Sequence, residues 1–434
     1  MTRMSWARPG HAFPAHRPAR LVRFDALLAG AGTMLGAGLF TGLAPAAATA
    51  GHWLLAGAVL AALIALCSAF STTDHGRAAP RTGVGYRYTR EQLGRWPGRV
   101  AGGIFLVGRL ATAAALAGCF GDYVMPGSPV LAGIAVLVLS CAVEAAGFRP
   151  SRGLTRALAG LLFLAVLALV TVCLLSPPGL PAMVNQPSSV DNAGELLPVA
   201  GVMFFGFLGF ERVTMPDLDQ PGLSRRALLL VVPALIGLVL GAYLLVGAAV
   251  LHQLGPVRLA TARTPLTDAL AAAGAAGLAP LASLAAATAT AAGLLTVVGG
   301  TRRAIEAMGV SGDVPATATT PGHGRLAPPA AAVVGLGAAL GLLILGPAPA
   351  LVLAAGCALA YYAFTNAAAR LLPAEGRLWP ARSACFGLGL CVLVGLTMPA
   401  PDLLGVLAAM LAGALLPALA PASRRVRRYF RACD

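Results

Sequence analysis

Three charged side chains lie deep inside apolar stretches of a chain that is 58% hydrophobic and only 11% charged: Arg109, Glu211 and Arg212. A charge in such a setting is expensive, so it faces a water-filled cavity or pairs with an opposite charge. Two roles stay open for Glu211, a proton carrier or one half of a structural ion pair with an arginine. All three residues are therefore candidates for coupling or gating. Asp122 and Glu144 fall nearer the ends of their apolar stretches and are expected to be solvated. Thr288, Thr290 and Thr296 share one stretch, where their hydroxyls either hold a sodium ion or bond back to their own helix, the expected alternative. The eight cysteines show no CxxC or Cys/His metal spacing and read as small buried hydrophobes. The six histidines sit near the ends of apolar stretches or between them, without an HExxH cluster. A membrane-embedded enzyme needs a convergent nucleophile, acid and base or a metal cluster, and the sequence offers none, so neither catalysis nor a metal or other cofactor is expected.

These residues are carried by a chain of 434 residues with a mean hydropathy of +0.81. Soluble domains carry about a quarter of their residues as charges, so this composition belongs in a bilayer. Windows of about 20 apolar residues give twelve spans, at about 25–44, 52–72, 98–124, 128–147, 154–175, 195–214, 225–250, 277–300, 328–346, 348–371, 382–398 and 402–420. The net charge of +15 comes from arginine alone, for the chain has no lysine. Such a charge suits a nucleic-acid partner, yet the arginines lie in the breaks between spans, where they report topology, and nucleic acid is rejected. With the N-terminus placed in the cytoplasm, 27 arginines fall inside, Arg258 and Arg263 fall outside, and Arg109 and Arg212 lie within spans. Both termini are then cytoplasmic. Residues 1–24 form an arginine-bearing arm without the short apolar core of a signal peptide. Residues 25–420 form one membrane domain, and residues 421–434 a basic tail that serves as a positive-inside anchor or meets anionic lipid heads.

Glycine interrupts two spans. AGAGTMLGAGLF, residues 29–40, carries Gly30, Gly32, Gly36 and Gly38, and span six carries Gly201, Gly206 and Gly209 beside Glu211 and Arg212. Each glycine inside a helix costs roughly 0.5–1 kcal/mol relative to alanine, so both stretches are poorly specified as continuous helices. Close packing through small residues is one consequence, and an opened helix facing a cavity is the other. Spans one and six are five apart, which is odd, so matching them makes two five-span repeats of opposite orientation. Inverted repeats with a broken first helix in each half are a transporter pattern.

At these residues the sequence resembles the amino acid, polyamine and organocation permeases (the APC family), closest to a bacterial subgroup. Gly32, Gly36, Gly38, Leu39 and Phe40 match the family's G-x-x-x-G-x-G-[IL]-F pattern in span one. RAAPRTGVGYRYTREQLGRWPG is similar to its loop after span two, VVGGTRRAIEAMGVSGDVP to the segment closing span eight, and LAYYAFTNAAARLL to span ten. The likeness runs over about residues 25–400 with the four motifs in order.

The resemblance implies an all-α integral membrane protein of about twelve transmembrane helices. These divide into a 5+5 inverted repeat, with repeat one at about 25–175 and repeat two at about 195–371, plus two extra helices at about 382–420. It implies a secondary active transporter of an amino acid or small organic amine across the cell's inner membrane by alternating access, with protons as a possible coupling ion. Carried over, a substrate carboxylate meets backbone N–H groups around Ala37 and Gly38 beside Gly36, and the ammonium meets carbonyls of Met34, Phe205 and Leu208. Phe205 is also the aromatic that covers the substrate. Three departures stand out: Ala37 where many relatives have a hydroxyl, Asp217 and Asp219 in MPDLDQP in place of paired glutamates, and only apolar residues near Leu162 where some relatives carry a lysine. The alternative they leave open is a transport-inactive sensor or scaffold keeping the permease fold.

Overall fold

A computed structural model of the chain describes residues 19–78, 84–148, 151–179, 192–215, 223–314 and 329–415. The N-terminal arm up to residue 18, the Asp217 and Asp219 segment and the basic tail lie outside the described residues. Every regular element among the described residues is helical. In chain order they are α1 (Ala19–Gly38), α2 (Leu43–Ala50), α3 (Leu54–Ala78), α4 (Val84–Leu93), α5 (Arg95–Val124), α6 (Pro129–Ala145) and α7 (Arg152–Leu175). Then come α8 (Leu196–Phe204), α9 (Glu211–Thr214), α10 (Arg225–Thr261), α11 (Pro265–Ala272), α12 (Ala279–Val310), α13 (Pro329–Leu345), α14 (Pro347–Arg370), α15 (Ala381–Leu396) and α16 (Ala400–Leu415).

Local chemistry sets many of these ends. Ser151 Oγ accepts from Leu154 N at 3.1 Å and Ser224 Oγ from Ala227 N at 3.3 Å, each capping orphan N–H groups of the helix that follows. Proline opens α6, α11 and α14, where its missing N–H is no loss. Between α13 and α14 the turn is a single residue, Gly346, at φ +77°. That conformation is cheap only without a side chain, and it separates two apolar windows that nearly merge in sequence. α10 outruns its expected end near residue 250 and continues to Thr261 across a kink at Gly255 and Pro256.

Six helical stretches, such as Arg95–Val124 and Pro347–Arg370, are long and apolar enough to cross a bilayer, and five shorter apolar helices accompany them among the described residues. Their outward faces are apolar: Leu164 and Leu167 on α7, and Leu404, Leu407, Leu411 and Leu415 on α16, are all more than half exposed. Stripes of that size cannot face water in a stable monomer, and they mark the side turned to lipid. The chain is a multi-pass membrane protein.

The helix α5 is the hub, packing against α4, α6, α12, α13, α14 and α16. It does so through small residues: Ala113 to Ala117 are buried, and a Cβ on Gly103 would lie 2.3 Å from the Gly413 Cα of α16. Lipid provides no hydrophobic push between helices, so close backbone approach must supply the dispersion energy that holds them. At the end of α5 that bears Arg99, the buried carboxylate of Asp313 forms an ion pair with Arg90, whose Nε lies 2.9 Å away, and accepts from Arg99 Nε at 3.0 Å and from the Tyr86 hydroxyl, tying α4 and α5 to the chain just past α12. Two guanidinium groups offset the desolvation of that charge. Burial, together with the neighbouring Asp313 carboxylate, pushes the Tyr86 phenol well above its ordinary range, so it stays a donor.

Gly103→Leu is expected to wedge α5 from α16 and lower stability by about 1–3 kcal/mol, read as a reduced melting temperature of the detergent-solubilised protein. An unchanged melting temperature would contradict backbone contact between these helices.

Candidate substrate site at two interrupted helices

Both glycine-rich spans are interrupted. The first runs as α1 to Gly38, turns over Leu39 to Gly42 and resumes as α2 at Leu43. The second runs as α8 to Phe204, tightens into a 3-10 turn over Phe205–Phe207, breaks over Leu208 to Phe210 and ends in the single turn of α9. At the second break Gly209 takes φ +116°, a conformation that L side chains rarely adopt. The N–H groups of Gly209 and Phe210 donate to no main-chain acceptor among the described residues.

The first break differs from expectation in position. Gly30, Gly32 and Gly36 lie inside continuous α1, and the opening falls C-terminal to them. Their role is close approach: a Cβ on Gly30 would meet Leu235 at 2.9 Å, and one on Gly36 the Ala289 carbonyl of α12 at 3.1 Å. Packing energy against α10 and α12 outweighs the propensity cost of these glycines.

The two breaks meet. A Cβ on Gly38 would stand 2.2 Å from the Gly206 Cα, so the end of α1 and the 3-10 turn touch backbone to backbone. Gly209 faces Thr33 and Met34 of α1. Met34 and Phe205 are fully buried at this junction, and Phe205 O accepts from Leu208 N at 3.1 Å. Ala37 lies within α1, and its side chain lies outside the described residues. Above the first break, Phe40 sits edge-on to Tyr123 at 5.7 Å, and Leu266 N at the start of α11 donates to the Tyr123 hydroxyl at 3.4 Å.

Beside the second break is a cavity of about 30 Å³, room for a water molecule. It is lined by Phe105 and Arg109 of α5, Leu208 and Glu211 at the break, and Tyr361 and Tyr362 of α14. Arg109 Nη2 donates to Glu211 Oε2 at 2.7 Å, and the Arg109 guanidinium lies 4.9 Å from the centre of the Phe105 ring. Both charged side chains are about one-fifth exposed. Arg212 turns the other way, donating to Thr33 Oγ1 of α1 at 3.3 Å. The structure thus brings together Arg109, Glu211 and Leu208 in one cavity and Met34, Gly38 and Phe205 at the adjoining helix contact, while Gly36 faces α12 instead.

Other expectations divide. Thr288, Thr290 and Thr296 donate to carbonyls of their own helix, at 2.8, 2.6 and 3.0 Å. Glu144 is not simply solvated: its carboxylate accepts from Arg302 at 3.2 Å, and Arg302 also binds Glu306 at 2.5 Å. The arginine lies 158 positions away and meets Glu144 only because α6 packs on α12. Tyr361, Tyr362 and Tyr243 were not among the candidates. The available signal was a tyrosine deep in an apolar helix, whose hydroxyl must find a partner when buried.

A helical membrane protein with two interrupted helices in contact and a charged pair beside them is the class that fold and site define. No family model matches the chain. Proteins named as uncharacterized transporters of Mycobacterium bovis and Mycobacterium tuberculosis are 34% identical to it over 418 residues, covering 94% of this chain and 91% of each relative. The chain belongs to the family of these mycobacterial transporters.

Replacing one partner of the half-buried pair leaves the other uncompensated. Arg109→Met or Glu211→Met alone is expected to destabilise the protein by roughly 1–3 kcal/mol, and the double replacement to recover most of that loss. Melting temperatures of the three variants measure the coupling, and strictly additive losses would show that the pair contributes none.

Proposed function

We propose that this chain is a secondary active carrier of an amino acid or small organic amine, working in the cytoplasmic membrane by alternating access. The observation that supports it best is the pair of interrupted helices meeting at Gly38 and Gly206. Non-helical backbone in a bilayer is tolerated where it is buried in protein or lines a cavity, and such breaks are where transporters hold solutes. Both breaks fall at the same place in a 5+5 division of the chain, about 25–175 and 195–371, with α15 and α16 as the two extra helices. Twelve crossings with both ends cytoplasmic follow from the sorting of the arginines. The family's transporter names and the likeness to the APC permeases support the same reading.

In this reading a solute carboxylate takes N–H groups at the N-terminus of α2, past Ala37 and Gly38, which α1 keeps in helix, because the dipole of α2 favours an anion there, and the ammonium takes carbonyls of the two breaks near Met34, Phe205 and Leu208. Arg109 and Glu211 border the path on the side of α14. A proton taken up by Glu211 would release its ion pair with Arg109, which couples solute movement to a proton gradient. Arg212, bound to Thr33, links the same segment to α1.

Reconstitution in liposomes tests this. A competition panel of amino acids and amines, run with and without a proton gradient, identifies the solute class, and binding without flux would favour a sensor. Gly38→Leu is expected to abolish uptake with normal membrane insertion, since its side chain has no space against Gly206. Normal uptake by that variant would sink the site. Glu211→Gln is expected to retain flux down a solute gradient and to lose its stimulation by protons; stimulation left intact would remove Glu211 from coupling.

A further inference from the structure

A third helix reaches the junction of the two breaks. Tyr243 of α10 is 1% exposed, and its ring packs against Phe207 with centroids 5.4 Å apart. Its hydroxyl donates to the Gly206 carbonyl at 3.2 Å. A Cβ built on Gly38 would lie 2.1 Å from that hydroxyl oxygen, and one built on Gly206 would lie 2.2 Å from it. The phenol oxygen and the backbones of both interrupted helices therefore share one small volume.

The hydrogen-bond accounting explains why a hydroxyl is there. In an unbroken helix the Gly206 carbonyl would accept from Phe210 N, but the break leaves that N–H without a described main-chain acceptor, and Leu208 N turns back to Phe205 O. The carbonyl freed by the break is satisfied by the side chain of another helix. A buried acceptor left without a donor incurs its full desolvation penalty, so this one bond favours the arrangement in which the two breaks touch.

We propose that the Tyr243 hydroxyl is the built-in donor that closes the second break against the first, and that the ammonium of a transported solute replaces it at the Gly206 carbonyl. This rests on the reading of the chain as an amine-carrying transporter. With Gly38 against Gly206, no heavy atom fits between the breaks, so the closed contact belongs to the unloaded carrier by geometry alone. A solute that separates the breaks brings a charged N–H donor, which binds a carbonyl more strongly than a phenol does. Tyr243 thus stabilises the unloaded closed arrangement and contributes nothing comparable to the loaded one. It is a positioning residue acting through Gly206, and its effect divides two modes of transport. Net uptake requires the unloaded carrier to pass through its closed form, whereas exchange cycles through loaded forms only.

Tyr243→Phe deletes the oxygen and keeps the ring, so the packing against Phe207 survives. Full-length protein and this variant are reconstituted, and entry of a tritiated mixture of the protein amino acids and their decarboxylated amines is followed into vesicles holding the unlabelled mixture and into vesicles holding buffer. For the variant, the half-saturating concentration in exchange is expected to fall roughly tenfold at a maintained maximal exchange rate, while entry into buffer-filled vesicles drops by a comparable factor. A half-saturating concentration that rises or stays constant overturns the role given to Tyr243, as does an equal loss of rate in both assays. No entry in either assay with the unmodified protein overturns the carrier reading instead, and with it this inference.

Discussion

The contact between Gly38 and Gly206 is the point on which the rest of the molecule depends. A peptide group in hydrocarbon must find a partner within the protein, so a helix can be interrupted only where other chain encloses the interruption. Here each break encloses the other. Glycine on both sides brings the backbones within reach, α12 covers α1 through Ala289, and Tyr243 of α10 supplies the donor that the broken ladder of the second helix lacks. Take away the small residues and the two freed segments would stand in lipid with unsatisfied groups.

The surrounding charges obey the same constraint in electrostatic form. Among the described residues, three sets of wholly or partly buried charges are paired between distant segments: Arg109 with Glu211, Asp313 with Arg90 and Arg99, Glu144 with Arg302. Two of these three pairings involve α5, which carries both Arg99 and Arg109 and whose Gly103, Gly108 and Gly118 come close to Gly413, Cys357 and Pro347. The hub helix is thereby held by close contact along its length and by charge at two levels. At the edge of the assembly, Asp25 of α1 accepts two bonds from Arg156 of α7, at 2.9 and 2.7 Å, so that even the N-terminal half of the first interrupted helix is tethered to a neighbour.

Much of the candidate site was legible one residue at a time and little of it pairwise. Arg109, Glu211 and Arg212 stood out because a charge in an apolar window needs a reason. Which arginine serves Glu211 was not readable: the sequence neighbour Arg212 points to Thr33, and the partner is Arg109, 102 positions away. Adjacent residues on a helical turn diverge by about 100 degrees, so sequence proximity argues against pairing rather than for it. Glu144 was misjudged for a related cause, since distance from the middle of a span says nothing about what packs on that end. Tyr243 carried one signal, a lone tyrosine in a long apolar helix, and that signal names no partner.

What the amino-acid sequence determined by itself is the solvent and the secondary structure: composition places the chain in a bilayer, apolar windows become helices, and two glycine-rich segments become the places where helices stop. These are sums over local terms, hydropathy and backbone propensity, and a linear string records them fully. Tertiary structure decided the rest. It placed the first break after Gly38 rather than among the earlier glycines, because packing against α10 and α12 holds those residues in a helix. It also chose the partner of each buried charge and set a phenol against a freed carbonyl, because such energies depend on distances between segments far apart in the chain.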